Sequence, residues 1–160
     1  MKKKIVVFFT LIILNFSFEI ANSEIFIKAK VNNQIITNID VKNEKNYLLA
    51  LNPNLRGLSK ENINRYAIDS LINEKIKKME IERRYEITVN KNVVKKIIYD
   101  LYSKIGISDM EEFKQYLSNY NINLDLVKRK ISIEVAWNDY IVNKFNNLIL
   151  VDEVKIKKKI

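Results

Sequence analysis

Six aromatic residues in the second half of the chain have the types and spacing best suited to chemistry, and that chemistry is recognition rather than catalysis. Tyr99 and Tyr102 lie three positions apart, Tyr116 and Tyr120 four, and Trp137 and Tyr140 three. On a helix, residues so spaced share a face. Each ring offers a large, rigid apolar body with a polar tip, which suits the rim of a groove that binds extended, aromatic-rich polypeptide. The same spacing also suits rings that complete a helical core and leave a hydroxyl at the surface. Both readings stand for each ring at this point.

Catalytic alternatives are sparse. The carboxylate pairs Glu111 with Glu112 and Asp152 with Glu153 are adjacent in sequence. On a helix such neighbours point in different directions and do not converge on a substrate. The chain has no histidine and no cysteine, which excludes histidine-activated serine or cysteine nucleophiles and the common zinc sites. Its acids lack the spacing of a calcium loop, and Gly57 and Gly106 alone cannot build a glycine-rich phosphate loop. No catalytic residue, metal or cofactor is expected, and the chain reads as a non-enzyme.

The elements that position the aromatics follow from local signals. Ile25, Ile27, Ala29 and Val31 alternate with Phe26, Lys28 and Lys30, as in a strand with one covered face. Asn32 and Asn33 tolerate positive φ, and Gln34 to Ile36 return as the second strand of a hairpin. Thr37 is an N-cap with Asp40 in the first helical turn, and the helix it opens runs to about Leu51, before Pro53. Ser59 caps a long helix with a stripe of Ile68, Leu71, Ile72, Ile76 and Met79. On this reading its solvated face includes Lys75, Lys77, Lys78 and Glu80. Ile87 to Val89 form a brief extended link. Asn90 caps a helix whose stripe is Val94, Ile97, Ile98, Leu101 and Ile105, with Gly106 as its stop. Ser108 and Glu111 form a capping box for a helix carrying Phe113, Tyr116, Leu117 and Tyr120. Asn123 starts the last long helix. That helix is apolar on more than one face, through Val127, Ile131 and Val135 and through Ile133, Trp137 and Ile141, so it is predicted to be central.

Location is written in residues 1–23. Lys2, Lys3 and Lys4 precede the apolar stretch Ile5 to Leu14, and small residues stand at Ala21 and Ser23. This is the pattern of a secretory signal cleaved after Ser23, with an apolar core shorter than the roughly 20 residues of a membrane span. The reading is a signal peptide over 1–23, a single domain over 24–160, and release into the periplasm. Without cysteines, an exported domain relies on its core rather than on disulfides. Two other readings remain open. In one, an uncleaved segment makes the chain a membrane-anchored assembly or docking factor. In the other, the net charge of +9 marks a basic helical domain that binds nucleic acid. Against the second, Ile, Asn and Lys make up more than a third of the sequence, so composition alone supplies positive charge, and basic residues alone do not define a nucleic-acid surface.

Three stretches carry a family resemblance. Val31 to Val41 (VNNQIITNIDV) enters the first helix from a hairpin, Leu71 to Ile76 (LINEKI) lies on the long helix, and Phe113 to Leu117 (FKQYL) is followed by Arg129, Ile131 and Glu134. Their order and spacing, after an export signal, resemble the N-terminal domain of the SurA/PpiD-type periplasmic foldases over about Glu24 to Val154. The resemblance implies a mainly α fold, a short hairpin followed by a five- to six-helix array. It also implies an ATP-independent holdase whose partners are unfolded polypeptides, outer-membrane proteins among them. The family usually has glycine where Asn121 stands, and asparagine also tolerates the left-handed conformation. Family parvulin sites use histidines, so prolyl isomerase activity is not carried over, and this chain is expected to lack parvulin domains. An uncovered hairpin edge would admit a client strand or a second copy of the chain, a possible homodimer. No nucleic-acid partner is expected.

Overall fold

The computed structural model describes residues 24–84 and 86–145. The export signal assigned to 1–23 and the basic end from Val151 to Ile160 lie outside the described residues. The architecture is mainly helical, a two-stranded antiparallel hairpin followed by five helices.

Strands β1 (Ile27–Val31) and β2 (Gln34–Thr37) are joined through Asn32, which takes φ 51°. The register shifts between Ile27 and Ala29. Ala29, Val31 and Ile36 still turn inward onto the first helices. Ahead of the shift the expected alternation fails, and Ile25 and Ile27 stand 64% and 63% exposed. An extra residue in one strand changes which face the flanking side chains occupy, so strict period two over-predicted the covered face.

Thr37 caps α1 (Asn38–Leu51) through a reciprocal box. The Asp40 amide donates to Thr37 Oγ1 at 3.2 Å, and the Thr37 amide donates to Asp40 Oδ2 at 2.7 Å. Pro53 opens a short 3-10 turn, Pro53–Gly57. Ser59 caps α2 (Lys60–Glu82), accepting from the Asn62 amide at 3.2 Å. Helix α2 packs against the hairpin and α1 along one face and against α5 along another. This two-sided use corrects the single-stripe expectation. Ile63, Ala67 and Ile81 are the buried residues, Ile76 is exposed, and the "solvated" Lys77 and Glu80 bond to α5.

Helices α3 (Lys91–Lys104) and α4 (Met110–Ser118) end in the same way. Gly106 takes φ 80° after α3, and the Ile107 amide donates back to the Tyr102 carbonyl at 3.0 Å. Asn121 takes φ 55° after α4, and the Ile122 amide donates back to the Leu117 carbonyl at 3.0 Å. Both are Schellman stops, with a buried isoleucine just past the left-handed residue. The α4 cap is Asp109, which accepts from the Glu111 and Glu112 amides at 2.8 and 2.9 Å. The expected box at Ser108 and Glu111 is therefore shifted by one, with the Ser108 amide donating to Glu112. The charged Asp109 carboxylate makes stronger bonds to the two amides than the neutral Ser108 hydroxyl would. Helix α5 runs from Leu124 to Phe145.

The stops set the angles at which α3, α4 and α5 meet. Their shared core contains Ile98, Phe113, Leu117 and Val127, all essentially fully buried, together with Tyr102 and Ile131. Each such aliphatic or aromatic side chain contributes about 1.5–3 kcal/mol on burial. A Cβ on Gly106 would meet no atom within 4 Å, so Gly106→Ala tests the backbone conformation alone. It is expected to lower stability by about 1–2 kcal/mol, the cost of left-handed backbone for an L-residue, measured by urea unfolding. An unchanged midpoint would mean that the α3–α4 turn relaxes without this conformation.

Candidate functional site

The six aromatic candidates divide by burial. Tyr99 alone is openly exposed, at 57%, with its ring edge-on to Tyr102 at 5.3 Å. Tyr102 lies inside the core against Phe113, ring centroids 5.5 Å apart. Sequence placed it beside the α3 stripe, but the buried set is Val94, Ile98 and Tyr102, one residue per turn. Tyr140 is buried too, donating its hydroxyl to Glu80 Oε1 at 3.0 Å and thereby joining α5 to α2. Trp137 is half-buried beside it.

Tyr116 and Tyr120 are half-buried and packed on the main core. Tyr120 falls in the turn after α4 rather than on the helix. The Tyr116 hydroxyl donates to the Ala50 carbonyl at 2.7 Å and accepts from Arg56 at 2.7 Å. Arg56 in turn donates to the Leu49 carbonyl at 3.2 Å and sits over the Tyr120 ring at 6.0 Å. These two rings therefore fasten α4 to the carboxyl end of α1. The aromatic set does not converge on one rim, because each pair faces whatever helix packs opposite it.

A charged cluster that sequence reasoning missed lies between α1, α2 and α5. Lys130 is 8% exposed and Glu44 2%. The Lys130 ammonium contacts Glu44 Oε2 at 2.6 Å and also Glu74 Oε2. Ser70 Oγ donates to Glu44 Oε1 at 2.7 Å. Lys130 Nζ is 4.9 Å from the Tyr47 ring centroid. Burial, reinforced by the Glu44, Glu74 and Glu134 carboxylates, pushes the Tyr47 phenol well above its usual range, so it stays neutral. Each charge stands three positions after an apolar residue that packs inward, Glu44 after Val41, Glu74 after Leu71 and Lys130 after Val127, the spacing of one helix face. The cleft beside the cluster, about 420 Å³, is lined by Asp40, Glu44 and Glu74 and by Lys75, Arg129 and Lys130. Lys130, Glu44 and Glu74 satisfy one another at its edge, while Asp40 bonds to Thr37 and Lys75 to Gln34, so the cluster is a tie between helices.

A different surface is open and apolar. The extended link Ile87–Val89, the first half of α3 and the first half of α5 enclose a groove of about 460 Å³. The half-buried Ile87 and Val89 form its apolar wall and the core residues Val94 and Ile98 its floor; Ser132, Lys91, Lys95 and Lys128 complete it. No carboxylate lines it. Residues 86–90 belong to no helix or strand, and Asn90 turns the chain into α3 by accepting from the Asn92 amide at 2.9 Å. Sequence marked the link as extended but gave no sign that α5 would lie across from it.

Comparisons with protein-family models, curated proteins and solved structures find no match to this chain. Among the described residues, no helix is long and apolar enough to cross a membrane.

Proposed function

We propose that the chain is an exported, ATP-independent chaperone that holds unfolded polypeptides, outer-membrane proteins among them, without isomerase activity. The observation that carries this reading is the groove beneath the Ile87–Val89 link, an open apolar surface whose floor is the edge of the main core. Such a surface suits a partner that brings its own apolar segment. Two further features support the reading. The order of hairpin, capped helix and helical array is the one the family resemblance implies. Ile25, Phe26, Ile27 and Ile35 are exposed on the hairpin, which gives an extended client a second apolar surface close to an unpaired strand edge. Holding of this kind needs no nucleotide: the chaperone binds the unfolded state and releases it by mass action.

The test is aggregation suppression. A β-barrel client diluted from urea should scatter less light when the chain is present in molar excess. Client aggregation that proceeds unchanged at every ratio would overturn the reading.

A further inference from the structure

We infer that the lysines of the groove select its occupant: an unfolded segment with an apolar centre flanked by aspartate or glutamate. The inference rests on the holding function proposed above and names the client class. The apolar lining asks for aliphatic or aromatic side chains, and every charged lining residue is a lysine. Lys91 and Lys95 stand one turn apart on α3, and Lys128 comes from α5. Among the described residues, Lys91 and Lys95 have no carboxylate within ion-pair distance; Lys128 has Asp125 of its own helix at 3.0 Å, in a solvent-exposed pair. Such a pair is weak and exchangeable. The nearby acids Glu86 and Asp139 line the neighbouring cavity instead. The first turn of α3 contains Lys91 and no acid, so the positive end of the helix dipole adds to the lysine field.

An occupant that covers the apolar lining also strips water from these ammonium groups. Carboxylates at its flanks replace the lost hydration, whereas lysines there meet like charge at close range. The balanced cleft beside Lys130 offers no such bias. A second copy of this chain is a poorer occupant, because the exposed apolar residues Phe26 and Ile27 are followed by Lys28 and Lys30 on the same strand.

Three fluorescein-labelled peptides with one apolar centre, flanked by aspartate, serine or lysine pairs, test the inference by anisotropy with the purified chain. The aspartate-flanked peptide should bind about tenfold or more tighter than the lysine-flanked one, and the gap should narrow in high salt. The double variant Lys91→Glu with Lys95→Glu, at exposed positions, should reverse the ranking, with circular dichroism reporting an intact helical fold. Lys91→Gln with Lys95→Gln should shrink the gap without reversing it, and serves if the charge reversal unfolds. Equal binding of all three peptides, or a ranking unchanged in a folded variant, refutes the lysine selection. Running the β-barrel assay alongside separates the two claims. Suppressed aggregation with no peptide discrimination leaves holding intact and removes the selection. Discrimination with no suppression keeps the acidic-segment site and removes holding.

Discussion

Replacing Lys130 with alanine should lower the stability of the fold by about 3–5 kcal/mol, the cost of breaking a buried ion pair from one side. The wild-type ammonium serves two carboxylates, from Glu44 on α1 and Glu74 on α2. Without it, Glu44 keeps only the Ser70 hydroxyl and lies beside the half-buried carboxylate of Glu74. Domains of this size have about 5–15 kcal/mol in hand, so the loss is a large share of the total. The remedy is expected to be chemical neutrality rather than a restored charge. Lys130→Met combined with Glu44→Gln and Glu74→Gln removes all three charges while keeping similar volume, and should recover most of the deficit. Urea unfolding of the two variants measures both. A deficit under about 0.5 kcal/mol for the alanine variant, the scale of ordinary surface substitutions, would mean that water or protonation relieves the carboxylates and that the cluster does not bind the three helices together.

Phe113→Ala should cost about 3–5 kcal/mol by a different route. The ring is fully buried, touches Tyr102, and shares its core with Leu117, Val127 and Ile131. Truncation removes the transfer energy of the ring and leaves a cavity that neighbouring side chains fill only in part. Helix α4 spans nine residues, and Phe113 and Leu117 are its buried contacts. Hydrogen exchange should therefore show α4 amides losing protection first, through local opening, before the global midpoint is reached. Uniform loss of protection along the chain would mean that α4 does not depend on this anchor. Ile131→Ala in the same core should cost about 2–5 kcal/mol.

What could be read from the sequence was local. The Asn32 turn, the Thr37, Ser59 and Asn90 caps, the Gly106 stop and the left-handed Asn121 each depend on residues within about five positions. A backbone amide at a helix end takes the nearest acceptor, and only glycine or asparagine accepts positive φ cheaply. Those signals determined the order hairpin then helices, and the apolar residues on two faces of α5, Val127 with Ile131 and Ile133 with Trp137, singled that helix out as central. The near miss at Asp109 has the same origin, since two acceptors stood side by side and the choice depended on their relative strength. Tertiary structure decided everything that needed to know what lies across from a helix face. Tyr99 and Tyr102 look alike in sequence; Phe113 makes one of them core and leaves the other in solvent. Glu44, Glu74 and Lys130 each look like a flaw in an apolar stripe, because the partner that makes a buried charge tolerable lies tens of residues away. The groove beneath Ile87–Val89 belongs to neither of its walls alone: α3 and α5 supply it only once the Gly106 and Asn121 turns have brought those two helices together.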